Sequence, residues 1–379
     1  MIPVLLTTAL ALAAPDVRTV AVGLPPEGAS ALAAVLEETL AAFAPGVEWR
    51  FDAVPPERLS EVLAAPPGDH RVVAAVAYPL PVLRELDLAG RFVPRPPCPT
   101  HREGAGASKG ACALWFDPIL LAWSDGGTGV SGRPSWVPER LADLCEGGVD
   151  GRLLLQRAAV WNATGALVTS LAEAGGTPSE ADERLIGLDG NRAAPYLERE
   201  EAVLRRLASL EPSPVAVVSR SGLARFRAEH AAEAVRLHAV APSDRAAAIL
   251  LGAAALDARG AAPLFEVLGA PAALAEVSRA IALLPLSDRV GDALLPGDGA
   301  ALRVVLNGEG PRLAREAALA RTTVDRYLDE IVGRHEGREA LFSEVFDAIG
   351  IAAMVALVIW ALRRRDGGSL VVGGPRSTS

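Results

Sequence analysis

Lys109 is the only lysine among the 37 basic residues, and the net charge is −9. No long basic patch lies in the body of the chain, so nucleic-acid binding is excluded, because neutralising phosphates takes clustered cations. Cysteine is equally scarce. Cys98, Cys112 and Cys145 form no C-x-x-C pair, which removes the usual zinc frameworks. The five histidines are scattered with no H-x-x-x-H spacing, so no resident metal or other cofactor is expected. Aromatics make up 4% of the chain, and alanine carries much of the apolar load. No repeat of solenoid period is present. Gly106-Ala-Ser108-Lys-Gly110 fits G-x-S-x-G, but here a loop leads into a strand, whereas a nucleophile elbow joins a strand to a helix. With no base and acid in matching contexts, the chain is not expected to be an enzyme.

Against these absences stands an apolar half of the chain, enough for a sizeable core. Two long apolar runs lie near the ends. Residues 2–14 (IPVLLTTALALAA) have the length of a signal-peptide core, with a small-x-small step at Ala11-Leu12-Ala13 and Pro15 just beyond. A buried first strand or helix is the alternative. Residues 346–362 are apolar on every helical face except Asp347 near the start, and Arg363, Arg364 and Arg365 follow at once. At ~1.5 Å per residue this stretch covers about 26 Å, the lower edge for a membrane span. Arginines on the far side place the C-terminus in the cytoplasm. The expected topology is a leader at 1–14, an extracytoplasmic body, a membrane-proximal helical segment at 301–345, a span at 346–362 and a cytoplasmic tail at 363–379. A buried C-terminal core helix is the alternative for the span. In an oxidising compartment Cys98 and Cys112, which bracket a Pro/Gly/Ala-rich loop, could pair; three unpaired thiols are equally compatible with the sequence.

Between the ends, strand and helix alternate. Strands are expected at Val17–Leu24, Val47–Val54 and Val72–Ala77, with helices at Ser30–Phe43, Pro56–Ala64 and Pro81–Leu88. Ser30 would cap its helix. This βαβαβ start predicts a mostly parallel sheet covered on both faces. A turn-rich loop at 92–110 leads to a strand at Ala113–Ser124. Helices are expected at Trp136–Leu144, Gly165–Glu173, Ala194–Leu210 and Leu223–Ala234, and strands at Arg152–Gln156, Val215–Val218 and Val235–Val240. From Arg245 to Ala280 the pattern reads as helix throughout, in segments Arg245–Gly260, Ala261–Leu268 and Pro271–Ala280.

Several short segments in this order carry a resemblance. They are Phe43-Ala-Pro-Gly46-Val47-Glu-Trp49, the strand Val72–Tyr78, the strand Trp115–Ser124, and Pro134-Ser135-Trp136 with Leu141-Ala-Asp143-Leu144. Gly151-Arg152-Leu153, the loop Arg157–Gly165 and Val240-Ala-Pro242-Ser243 complete the series. Over roughly residues 17–290 the chain resembles the bacterial extracellular solute-binding proteins of ABC importers, in the branch of ferric and related anion binders. The resemblance implies an α/β, two-lobed periplasmic-binding-protein-like fold (type II, the Venus flytrap). The C-terminal transmembrane helix would be added to it. Lobe 1 would comprise 15–115 and 244–300; the hinge strands and lobe 2 would occupy 116–243. It further implies a small-molecule solute held between the lobes, with ABC permease subunits as partners.

Ligands of such folds sit where strands hand over to helices, because free N–H groups and the helix dipole favour anions there. The candidate contacts are therefore Glu27 and Ser30 after the first strand, Tyr78 after the third, Asn162, Thr164 and Gly165, then Ser219, Arg220 and Ser221, and Ser243. Helix capping is the competing role for each Ser, Thr and Asn. The ferric subgroup uses adjacent tyrosines, whereas Tyr78, Tyr196 and Tyr327 stand apart, so a small anionic or polar solute is expected in place of iron. A membrane-anchored sensor or accessory protein with the same fold is the alternative to transport.

Overall fold

A computed structural model describes residues 16–64, 71–94, 110–125, 134–149, 151–209, 214–286, 310–334 and 354–357. Residues up to Asp325 form one compact unit and those from Arg326 a second.

The first unit opens with strand β1 (Asp16–Val22), helix α1 (Pro26–Phe43) and strand β2 (Val47–Ala53). A 3-10 turn leads into α2 (Leu59–Ala64), followed by β3 (Arg71–Pro79) and α3 (Leu80–Leu88). Pro26 at the first position suits a helix start, since its missing N–H would be unpaired there anyway. Leu32, Leu36 and Leu40 recur every fourth residue on one stripe of α1 and are fully buried. β1 pairs in parallel with β2 and with β3, as expected from the βαβαβ pattern.

β4 (Ala111–Ser124) organises the rest. Next come β5 (Leu153–Leu154), α4 (Ala163–Ala174), α5 (Pro178–Gly190), α6 (Glu200–Ser209), β6 (Val215–Ser219), α7 (Arg220–Glu229) and α8 (Ala231–Ala234). They are followed by β7 (Leu237–Val240), β8 (Ala248–Ala255), α9 (Ala258–Gly269), α10 (Pro271–Ala280) and β9 (Leu284–Pro285). Helix α11 spans Gly310–Arg326. From Ala111 to Pro118, β4 lies antiparallel to β8; from Ile119 to Trp123 it lies antiparallel to β6, and from Leu121 to Ser124 to β7. The partner changes at Pro118, which has no N–H to give to a ladder. One strand thus runs through two half-sheets. The first has the order β2-β1-β3-β8-β4, and the second continues β4-β6-β5. The chain returns between them through residues 241–247, joining β7 to β8.

Each half-sheet has its own core. Val20, Leu32, Val73, Trp115, Leu264 and Phe265 belong to the first, and Ala122, Leu154, Leu204, Val218 and Phe226 to the second. A third cluster lies under α11, where Leu313 and Ala317 meet Leu80, Phe116, Leu250 and Leu284.

Several expectations require correction. AILLGAAA at 248–255 is strand β8, expected as part of a helix. It is buried between β3 and β4, and a short apolar run enclosed on both faces has no period that separates strand from helix. Because β8 is antiparallel to both neighbours, the sheet is mixed where a mostly parallel one was expected. Trp136–Leu144 holds only turns and the start of a 3-10 turn at Ala142–Cys145. α5 was not anticipated, although Thr177 and Glu180 form a reciprocal capping box that marks its start. The crossing of the chain is placed by β7 just after the expected strand, at 241–247.

Among the described residues no single helix is long and apolar enough to cross a membrane. The expected span at 346–362 lies outside the described residues except for one helical turn, Met354–Leu357, whose Met354, Val355 and Leu357 side chains are exposed. The expected leader at 1–14, Cys98 and Ser108 also lie outside the described residues; Cys112 is buried in the first core.

Candidate functional site

The strand-to-helix turn between β6 and α7 sits beside Pro118, where β4 changes partners. Ser219 is paired with Ile119, which brings the start of α7 against the strand common to both halves. A lone aspartate interrupts the apolar run of β4 here. Asp117 is 4% exposed, and its carboxylate accepts the Ser221 backbone N–H at 2.9 Å and the Ser221 hydroxyl. Burial pushes its pKa up, opposed by the two bonds from Ser221 and the charges of Arg225 and Arg220.

Glu200, the first residue of α6, reaches the same turn. It accepts the backbone N–H of Ser219 and, at 3.0 Å, the Ser219 hydroxyl. Ser219 Oγ in turn accepts the Gly222 N–H at 2.9 Å and so caps α7. A Cβ built on Gly222 would lie 1.8 Å from Glu200 Oε2, so a glycine is required for the carboxylate to sit there. Burial, with the neighbouring Asp117 charge adding to it, raises the Glu200 pKa to about 7. The N–H groups of Ser219, Ser221 and Gly222 at this turn therefore already meet two carboxylates of the chain itself and the Ser219 hydroxyl. These are the groups that an external anion would need.

Arg220 points elsewhere. Its guanidinium donates at 2.7 Å to the carbonyl of Ala282, in the turn between α10 and β9 of the first half. Ala282 has φ 56°, the left-handed position that closes a helix end and usually takes glycine. A side chain from the second half thus bonds to a carbonyl held out by the first.

The remaining expected contacts separate into two groups. Glu27 and Ser30 lie on the exposed side of the first turns of α1, and Ser30 is within the helix, not at its cap. The others are bonded within the protein or enclosed by it. Tyr78 is fully buried and donates to Val54 O at 2.8 Å, bracing the carboxyl ends of β2 and β3. Burial drives its phenol pKa well above the ordinary value. Asn162 caps α4. Its Oδ1 accepts from Gly165 at 2.9 Å and Ala159 at 3.2 Å, and its amide donates to Arg157 O at 2.7 Å. Gly165 N–H is thereby used, and a Cβ there would lie 1.8 Å from Ala159 O, so the loop covers the helix start. Thr164 is fully buried with no hydrogen-bond partner for its hydroxyl among the described residues, and Trp161 is half-buried. Ser243 donates twice to Glu139 O.

The structure brings Ser219, Arg220 and Ser221 together with Asp117, Glu200 and Arg225, none of which was expected at the site. Asp117 had a signal, a single charge inside a fourteen-residue apolar strand. Glu200 had none, since an acid at the start of a helix reads as ordinary dipole complementation. Among the described residues no group of three or more His, Cys, Asp or Glu is placed to hold a metal ion.

Neither a family model nor a curated protein matches the sequence. Solved structures do. An iron-binding protein of Trichodesmium (IdiA/FutA), in complex with iron and citrate, aligns with a TM-score of 0.67 at 14% identity, covering 83% of this chain and 99% of that one. Iron-bound HitA from Pseudomonas aeruginosa gives 0.63 at 15%, covering 83% and 99%. Apo ferric ion-binding protein A from Pasteurella haemolytica gives 0.62 at 11%, covering 82% and 98%. At these identities the likeness is one of fold. The chain has the α/β, two-lobed, type II periplasmic-binding-protein fold, with the two half-sheets as its lobes.

Proposed function

We propose that this chain is a membrane-tethered extracytoplasmic solute-binding protein that captures a small polar or anionic solute between its lobes, working by binding and not by catalysis. The observation that carries the reading is the pair of chain crossings, β4 at Pro118 and the irregular segment 241–247 between β7 and β8, because two crossing segments let lobes close around a ligand as a hinge. Delivery to ABC permease subunits is the corresponding role. A leader at 1–14 and a span at 346–362 would hold the lobes outside the membrane; the exposed apolar turn Met354–Leu357 is in keeping with this.

In this reading Arg220 is the cation that meets the solute. The α7 start is filled from within, so its N–H groups are not the receptor. The Arg220 guanidinium, which donates to Ala282 O, would exchange that carbonyl for a solute oxygen. A charged acceptor makes the stronger bond, and a guanidinium can meet two oxygens at once. Glu27 and Ser30, exposed at the start of α1, remain candidates on the facing lobe. The structural role of Tyr78, Asn162, Thr164, Gly165, Ser219, Ser221 and Ser243 argues for support of the site ahead of direct contact. Arg220→Ala should weaken binding by about 1.5–3 kcal/mol, the worth of a hydrogen bond to a charged group. Calorimetric titration of both proteins with the solute measures this, and equal affinities would remove Arg220 from the site.

The second reading is a membrane-anchored sensor or accessory protein. It is favoured by the internally filled α7 start, which leaves fewer donors for a transported anion.

A further inference from the structure

Helix α11 touches both lobes and the segment between them. On lobe 1, Arg84 of α3 donates to Ala314 O at 3.0 Å, and Arg321 grips Glu85 through two N–H groups at 2.7 and 3.0 Å. Leu313 and Ala317 bury against Leu80, Phe116 and Leu250, so α11 is seated on lobe 1 by apolar packing as well as charge. At the crossing, Arg312 donates to Ala246 O and is neutralised by Glu316 one turn further on. Towards α4, Arg315 lies 3.7 Å from Glu173.

Glu173 has a second cation. Arg245, within the crossing segment, pairs with it at 2.7 Å and uses its other arm on Ser170 O, also at 2.7 Å. One carboxylate near the end of α4 is therefore held from the crossing and from the helix seated on lobe 1. α4 itself packs against β6 of lobe 2 and reaches β8 of lobe 1. Glu173 is 24% exposed and Arg245 19%, so their pair is partly shielded from screening; Arg315, at 64%, lends a weaker hold.

We propose that Glu173, gripped by Arg245 and Arg315, is a clamp that sets the resting angle between the lobes. A hinge movement about β4 and residues 241–247 displaces α4 from α11, so these polar contacts, like that of Arg220 with Ala282 O, must stretch or part. The clamp holds the present arrangement, and a solute that drives the lobes to another angle works against it. This rests on the reading of the two lobes as a closing pair and adds what regulates their closure.

The test uses the full-length chain in detergent without solute. Spin labels carried by unnatural amino acids replace two exposed residues, Glu38 of α1 and Arg206 of α6, and pulsed electron paramagnetic resonance reads their separation. Wild type should give one narrow distribution. Glu173→Gln should broaden and shift it, and Arg315→Gln should move it the same way by less. Should Glu173→Gln fail to fold, Arg315→Gln decides alone, since its side chain is largely in solvent. Folded variants that superimpose on wild type, while a solute still shifts the wild-type distance, overturn the clamp and leave the binding reading intact. Distances fixed in every variant and with every solute overturn both.

Discussion

An acidic side chain set into the start of a helix satisfies donors that would otherwise need water or a ligand. Glu200 does this at α7 at the cost of its own hydration, which is why its pKa rises to about 7. The sign of the stability effect follows. The folded state holds this proton up to about 7, while an unfolded glutamate releases it near 4.5. Folding is thus favoured most below the unfolded value, and this contribution is lost progressively as pH rises between the two. Melting temperature should fall across that window in the wild type, and the slope should flatten in Glu200→Gln. An unchanged slope in the variant would assign the effect to another group. Gly222→Ala tests the same seat sterically. A methyl group there displaces the Glu200 carboxylate, and loss of a buried, hydrogen-bonded group should cost about 1–3 kcal/mol in denaturant unfolding. A variant as stable as the wild type would show that Glu200 does not need the space.

Among the elements, α4 has a cap that also shapes the chain before it. Asn162 closes its start with three hydrogen bonds that also fold the preceding loop back. Asn162→Ala should cost about 0.5–2 kcal/mol, the range for a lost N-cap, and a change within error of zero would reduce the cap to decoration. α3 and α10 were legible in the sequence because each pairs a proline-marked start with an apolar stripe, whereas α1 was read from its stripe and its start was set at Ser30, four residues past Pro26. β8 was not. Its Ala-Ile-Leu-Leu-Gly-Ala run is equally at home in a buried helix, and only its neighbours β3 and β4 decide the matter. The candidate site shows the same limit. The β6–α7 turn could be named from a strand running into a helix, but its occupants come from elsewhere, Asp117 from 104 positions before Ser221 and Glu200 from 19 before Ser219, contacts that no local pattern reveals.

At the scale of the whole molecule, a two-lobed α/β body is combined with an expected anchor. If residues 346–362 span the membrane, alkaline carbonate extraction should leave the full chain in the membrane pellet, and removal of 346–379 should release it. A full-length, intact chain found in the supernatant would rule out the span. Capture of a solute is the central claim, and it is tested most directly by a thermal-shift screen of the full-length protein against small anions, metals and polar metabolites. A ligand that binds the folded chain alone stabilises it by about 2.7 kcal/mol at 100 times its dissociation constant. At least one small polar or anionic solute should therefore raise the melting temperature in a concentration-dependent way. No shift with any member of a broad panel would contradict the account.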